Sequence, residues 1–160
     1  MKRLLIVVFL LITVNSLNAQ NDKVKVMNFN QFEPLLHKEN DTLYIINFWA
    51  TWCKPCVEEL PYFEKLHSEY KNTKMKVLLV SLDFKDELES RLIPFIEKRK
   101  INSEIILLDE SNPNTYIDKV STNWSGAIPV TYIYKNQKAF FYEKSFTYDE
   151  LEAIIKLNLK

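Results

Sequence analysis

Glycine occurs once in these 160 residues, and cysteine and histidine only twice each. With backbone freedom so scarce, the lone Gly126 is expected where the chain needs a positive φ or a close backbone approach. His37 and His67 have no ligand spacing to the cysteines, so a four-ligand zinc site lacks its partners and no metal is expected. Neither sign of charge is in surplus, since 21 Lys and Arg face 21 Asp and Glu. That balance gives no electrostatic case for nucleic acid or for an anionic membrane surface, and the charged residues are read as a solvated exterior. Long apolar runs are also missing: Leu4 to Val14, broken only by Thr13, falls short of the roughly 20 residues a membrane-spanning helix needs. No repeat, low-complexity tract or interdomain linker is present.

That short run follows Met1-Lys2-Arg3 and precedes polar Asn15 to Ala19, which is the layout of a secretory signal peptide. Cleavage is expected after Ala19, although Leu17 is a poor match to the small residue favoured two positions earlier. The division is then residues 1–19 as signal and 20–160 as one domain, about 140 residues around a single core. Loss of Lys2 and Arg3 would leave 19 basic residues against 21 acidic ones. Export, to a periplasm or beyond, places the cysteines where disulfides form and persist.

Both cysteines lie in Trp52-Cys53-Lys54-Pro55-Cys56, where the apolar run Leu43 to Trp49 gives way to a helical pattern. A strand therefore hands Cys53 to a helix N-terminus, whose unpaired N–H groups and dipole favour a thiolate. Cys56, less than one helical turn on, can attack a mixed disulfide formed through Cys53 and release it. A purely structural bridge closing so small a loop would remove little unfolded-state entropy, so the pair is read as a redox couple. Pro55 suits a first turn, and Lys54 adds a positive charge.

Strands are expected at Val24 to Val26, Leu43 to Trp49, Val77 to Leu82, Ile105 to Leu108 and Val130 to Tyr134. Asn136-Gln137 should turn the last of these into a hairpin with Ala139 to Tyr142. Asn28 or Asn30 is a cap for a short helix over Phe32, Leu35 and Leu36. Val57, Leu60, Phe63, Leu66 and Tyr70 give the post-cysteine helix its apolar stripe, with Pro61 expected to bend it. A helix through Leu88, Leu92, Phe95 and Ile96 is kinked or restarted by Pro94, and Asn112-Pro113 opens another reaching Val120. Thr147 and Glu150 form a capping box for a last helix burying Leu151, Ile154 and Ile155. The result is an α/β domain with a mixed sheet and helices on both faces.

Trp-Cys-Lys-Pro-Cys, with Trp49-Ala50 before it and Pro61 five residues after Cys56, resembles the thioredoxin superfamily. The helix and strand added before Gly126-x-x-Pro129, and Cys53-x-x-Cys56-x-x-Glu59-x-Pro61, resemble its exported TlpA/ResA-like thiol-disulfide oxidoreductases. The resemblance implies a thioredoxin fold with a helix-strand insertion, and a catalytic Cys53, Cys56 and Glu59. It makes Pro129 a cis-proline facing the disulfide and assigns Trp52, Pro55, Ile128 and Pro129 to substrate contact, Ile128 through its backbone. It departs at Asn47, where thioredoxins proper carry a buried Asp; Asn does not titrate, so acid-base help must come from elsewhere. Protein thiols and disulfides are the implied substrates, a membrane thiol-disulfide protein the implied electron donor, and cytochrome c maturation a typical task. No organic cofactor is implied, and a monomer is expected. Two other readings stand beside it. A thiol peroxidase on this fold needs Pro-x-x-x-Thr-x-x-Cys, which the residues before Cys53 lack, and a Cu(I)-binding module would use the two thiolates without turnover.

Overall fold

The computed structural model describes residues 23–159. The expected signal peptide and its cleavage after Ala19 lie outside the described residues. Strand β1 (Val24–Met27) leads to helix α1 (Phe29–Phe32) and a 3-10 turn (Glu33–Leu36). Asn28 is the cap: its side chain accepts the Gln31 N–H, and the Asn28 N–H donates in return to the Gln31 side-chain oxygen. Strand β2 (Leu43–Trp49) runs into α2 (Lys54–Glu69), followed by β3 (Met75–Ser81), α3 (Ile93–Arg99), β4 (Glu104–Leu108) and α4 (Ile117–Val120). Strands β5 (Val130–Lys135) and β6 (Lys138–Tyr142) form the hairpin, and α5 (Tyr148–Asn158) ends the described chain, capped by the expected Thr147–Glu150 box.

The six strands lie in the order β1-β4-β3-β2-β5-β6. The first four run parallel, and β5 and β6 are antiparallel, giving the mixed sheet expected. All seven residues of β2 are buried, because it pairs on both edges and is covered on both faces. Its side chains alternate between two cores. Ile45 and Trp49 join Leu60, Phe63 and Leu66 of α2, Ile96 of α3 and Leu151 and Ile155 of α5. Ile46 and Phe48 join Phe29 and Phe32 of α1, Val120 of α4 and Trp124. Asn47 has the parity of Ile45 and Trp49, so it points toward the α2 side.

Two stretches differ in detail from the sequence reading. Residues Leu88–Leu92 form a π-helical turn, and regular α-helix starts only at Ile93, with Pro94 in its first turn where no N–H is needed. The helix expected from Pro113 to Val120 is two pieces, a 3-10 turn (Pro113–Thr115) and α4, separated at Tyr116. The Tyr116 ring is buried against Phe29 and Trp124, and its backbone at φ −127° leaves the helical region. Gly126 has φ +94°, as its scarcity suggested, and a Cβ there would sit 3.3 Å from Ile117 Cδ1.

Candidate active site

Parallel β2 ends at the sheet's carboxyl edge, and Ala50 to Trp52 turn the chain into α2. Cys53 is the α2 N-cap, and the Cys56 N–H points at its Sγ from 3.3 Å. Cys53 and Cys56 are joined as a disulfide. The two sulfurs are unequal: Cys53 retains 6% exposure while Cys56 has none. Cys53 is therefore the sulfur a partner can reach, and Cys56 the internal one. Lys54 lies outside the pair, 3.9 Å from Glu58 with both side chains exposed. The backbone of the helix N-terminus, more than Lys54, is the positive end that faces Cys53.

Opposite the disulfide, the Ile128–Pro129 peptide is cis, and the Ile128 carbonyl oxygen lies 3.8 Å from Cys53 Sγ. Ile128 precedes the β2–β5 ladder, whose pairing begins at Val130. The loop is fastened from behind. Trp124 Nε1 donates to the Ala127 carbonyl at 2.7 Å, and the Ser125 N–H and hydroxyl both donate to Glu143. Trp124 is a core residue whose ring packs at a tilt against Phe48. Trp52 is 55% exposed and Phe84 67%, and together with Ile128 and Asp83 they line a groove of about 390 Å³ beside the disulfide. Pro55 is exposed in the first turn of α2, and Pro129 is buried.

Glu59 is only 1% exposed. Its Oε1 accepts a hydrogen bond from Asn47 Nδ2 at 2.9 Å and its Oε2 one from the Phe146 N–H at 2.8 Å. Burial dominates and pushes its carboxyl from the ordinary 4.5 up to about 7, with the Phe146 and Asn47 hydrogen bonds pulling the other way. A carboxyl poised near neutrality, three residues from Cys56 on the same helix, can take or give a proton. Asn47, standing where thioredoxins proper carry their acid, thus meets the expected Glu59: it supplies no proton but holds the group that can. The parity of Asn47 with Ile45 and Trp49 was a signal for this contact. The Phe146 N–H had none, because backbone donors leave no trace in residue type.

A second buried carboxylate escaped the sequence reading. Asp83, just beyond β3, accepts the Thr51 N–H at 3.0 Å, the Thr51 hydroxyl at 2.5 Å and the Ser81 hydroxyl at 2.7 Å. It clamps the turn that presents Cys53. Among the described residues no group of three or more His, Cys, Asp or Glu is placed to hold a metal ion.

A mixed sheet flanked by helices on both faces, a Cys-x-x-Cys at the head of the helix after its central strand, and a cis-proline opposite define a protein of the thioredoxin fold. A solved structure of a DsbF homologue from Corynebacterium diphtheriae agrees, with a TM-score of 0.61 at 18% identity, covering 74% of this chain and 73% of that one. Residues 14–139 match the AhpC/TSA family, and the chain belongs to it. Among curated relatives, the thioredoxin-like protein YneN of Bacillus subtilis is 37% identical over 84 residues, 46% of this chain and 48% of that protein. The thiol-disulfide oxidoreductase ResA of Oceanobacillus iheyensis is 51% identical over 39 residues, 24% of this chain and 20% of that protein. The matched stretches span about half or less of those relatives.

Proposed function

We propose that this protein is a thiol-disulfide oxidoreductase that exchanges disulfides with protein thiols through Cys53 and Cys56, acting as a reductant outside the cytoplasm. The observation that carries the reading is the unequal pair, an accessible Cys53 capping α2 and a sealed Cys56 bonded to it, with the Ile128 carbonyl alongside. In the reducing direction the Cys53 thiolate attacks a substrate disulfide. A bond forms between Cys53 and one substrate sulfur, and the other substrate sulfur leaves as a thiolate that takes up a proton. Cys56 then loses its proton to Glu59 and attacks Cys53 Sγ. The Cys53–Cys56 bond forms, the second substrate sulfur departs, and two electrons have passed from the protein to its substrate. An extended substrate segment would lie along Ile128 and Pro129, with Trp52 and Pro55 at its flank.

Electrons must then be restored by a second dithiol, for which a membrane thiol-disulfide protein is the proposed donor. The N-terminal signal pattern supports export, and the local likeness to ResA supports a task of the cytochrome c maturation type. The test is to equilibrate residues 20–160 against glutathione and dithiothreitol buffers and trap free thiols. A potential near −270 mV, as in thioredoxin, is expected of a reductant. A value near −120 mV would make the protein a disulfide donor, and failure to cycle would overturn the exchange reading. Cys56→Ser should accumulate a mixed disulfide through Cys53, whereas Cys53→Ser should form none.

A further inference from the structure

Asn47 is fully buried on β2. Its Nδ2 faces Glu59 Oε1 at 2.9 Å, Thr131 Oγ1 at 3.2 Å and the Val130 carbonyl at 3.4 Å, while its own Oδ1 has no partner. A buried amide with its oxygen unsatisfied is held for its two N–H groups. A carboxylate and a peptide carbonyl only accept, so turning the amide over would set its oxygen against both. One N–H reaches the acid on α2, and the other reaches the first two residues of β5, which directly follow cis-Pro129.

We propose that Asn47 is the positioning residue that sets the proton affinity of Glu59 and joins that carboxyl to the strand carrying the substrate-facing proline loop. The inference rests on the exchange chemistry proposed above and adds a residue to it. Asn47 and the Phe146 N–H each donate to one oxygen of Glu59, which favours the ionised form against the cost of burial. The Phe146 donor is backbone and fixed by the fold, so among the described residues Asn47 is the side chain that tunes the acid. Other titratable groups on the neighbouring elements are engaged elsewhere. On α2, Glu58 pairs with Lys54. Ahead of α5, Glu143 holds Ser125 and Lys144 pairs with Glu150. Tyr142 of β6 meets Phe146 edge to face, Tyr148 of α5 donates to Glu69, and Lys135 sits at the far end of β5 from Thr131. None of these contributes to the Glu59 displacement, which arises from burial and its two donors.

The test follows the Glu59 carboxyl carbon by NMR in the oxidised protein across pH, together with the pH profile of disulfide exchange. Asn47→Ala is expected to raise the Glu59 midpoint by about one pH unit, the usual weight of one lost hydrogen bond to a carboxylate, and to move the exchange profile equally. In a Glu59→Gln background, Asn47→Ala should leave the exchange profile where Glu59→Gln alone puts it. An unmoved midpoint, or the same change in profile with and without Glu59, would overturn the proposal. Should the alanine variant not fold, Asn47→Asp keeps the shape and sets a second carboxyl against Glu59. Two separated titrations are then expected, the upper one above that of the unsubstituted protein, and a single unshifted titration overturns the idea. The NMR readout needs no turnover. A protein that fails to exchange disulfides would thus sink the function proposed above while leaving this inference to be decided by the titration.

Discussion

Asp83 and Glu59 are both buried carboxylates close in the chain or fold to the Cys53–Cys56 bridge, and they differ in how many donors meet them. Asp83 receives the N–H and hydroxyl of Thr51 and the hydroxyl of Ser81, all from segments that end at the active-site turn. Glu59 receives one N–H on each oxygen, from two elements distant in sequence, inside an otherwise apolar core. Three donors, two of them hydroxyls that can orient freely, make a carboxylate a structural clamp. Two donors in a dry setting leave the carboxyl near 7, where its proton is exchangeable at physiological pH. Donor count, and not burial alone, separates the fastener from the candidate proton carrier.

Removing the Asp83 carboxylate should have the largest effect on stability. Asp83→Ala leaves the Thr51 N–H, the Thr51 hydroxyl and the buried Ser81 hydroxyl without their acceptor, and about 3–5 kcal/mol of stability should be lost, the lower end of what three hydrogen bonds to a carboxylate contribute. Urea unfolding of the oxidised protein at pH 7 measures it. A loss no larger than that of Glu59→Gln would show that the two carboxylates do not have separate duties.

Glu59 should instead declare itself through pH. Its folded midpoint of about 7 lies above the ordinary 4.5, so between these values the folded protein binds more protons than the unfolded chain. Stability therefore falls as pH rises through that window, by about 3 kcal/mol for this group, and is not restored above it. Glu59→Gln should remove that share of the slope. A slope identical in the two proteins would mean that Glu59 titrates as an ordinary carboxyl. The same substitution should slow disulfide exchange about 100-fold near neutral pH, the lower end of the range for losing a general acid-base group. A clamp variant that still folds should show no such slowing.

Much of the fold could be read from residue order, because β2, β3 and β4 are apolar runs with helical patterns between them and Asn28, Thr147 and Gly126 mark caps and a turn by residue type. Cys53 and Cys56 were legible for the same reason: their spacing and the strand-to-helix junction are local. Tyr116 was not, since an aromatic ring buried between Phe29 and Trp124 broke a helix that local pattern would continue. Asp83 carries no local signal, because its donors come together only where the ends of β2 and β3 meet. Asn47 looked like a defect in a strand. Its partner lies twelve residues on in a different element, and the contact exists because α2 packs back over the face of β2 that odd-numbered residues occupy.

The smallest effect tests the clamp from its other end. Thr51→Val removes one hydroxyl and keeps both the β-branched shape and the N–H that reaches Asp83. Asp83 Oδ1 still has that N–H at 3.2 Å and Oδ2 still has the Ser81 hydroxyl at 2.7 Å, so each oxygen retains a donor. The cost should then be that of one hydrogen bond, about 1–2 kcal/mol, measured by urea unfolding beside Asp83→Ala. The Glu59 midpoint should not move, because Thr51 touches neither Asn47 nor Phe146 by hydrogen bond. A loss as large as that of Asp83→Ala would mean the hydroxyl is the whole clamp, and a shifted Glu59 midpoint would mean the two carboxylates are coupled through the active-site turn.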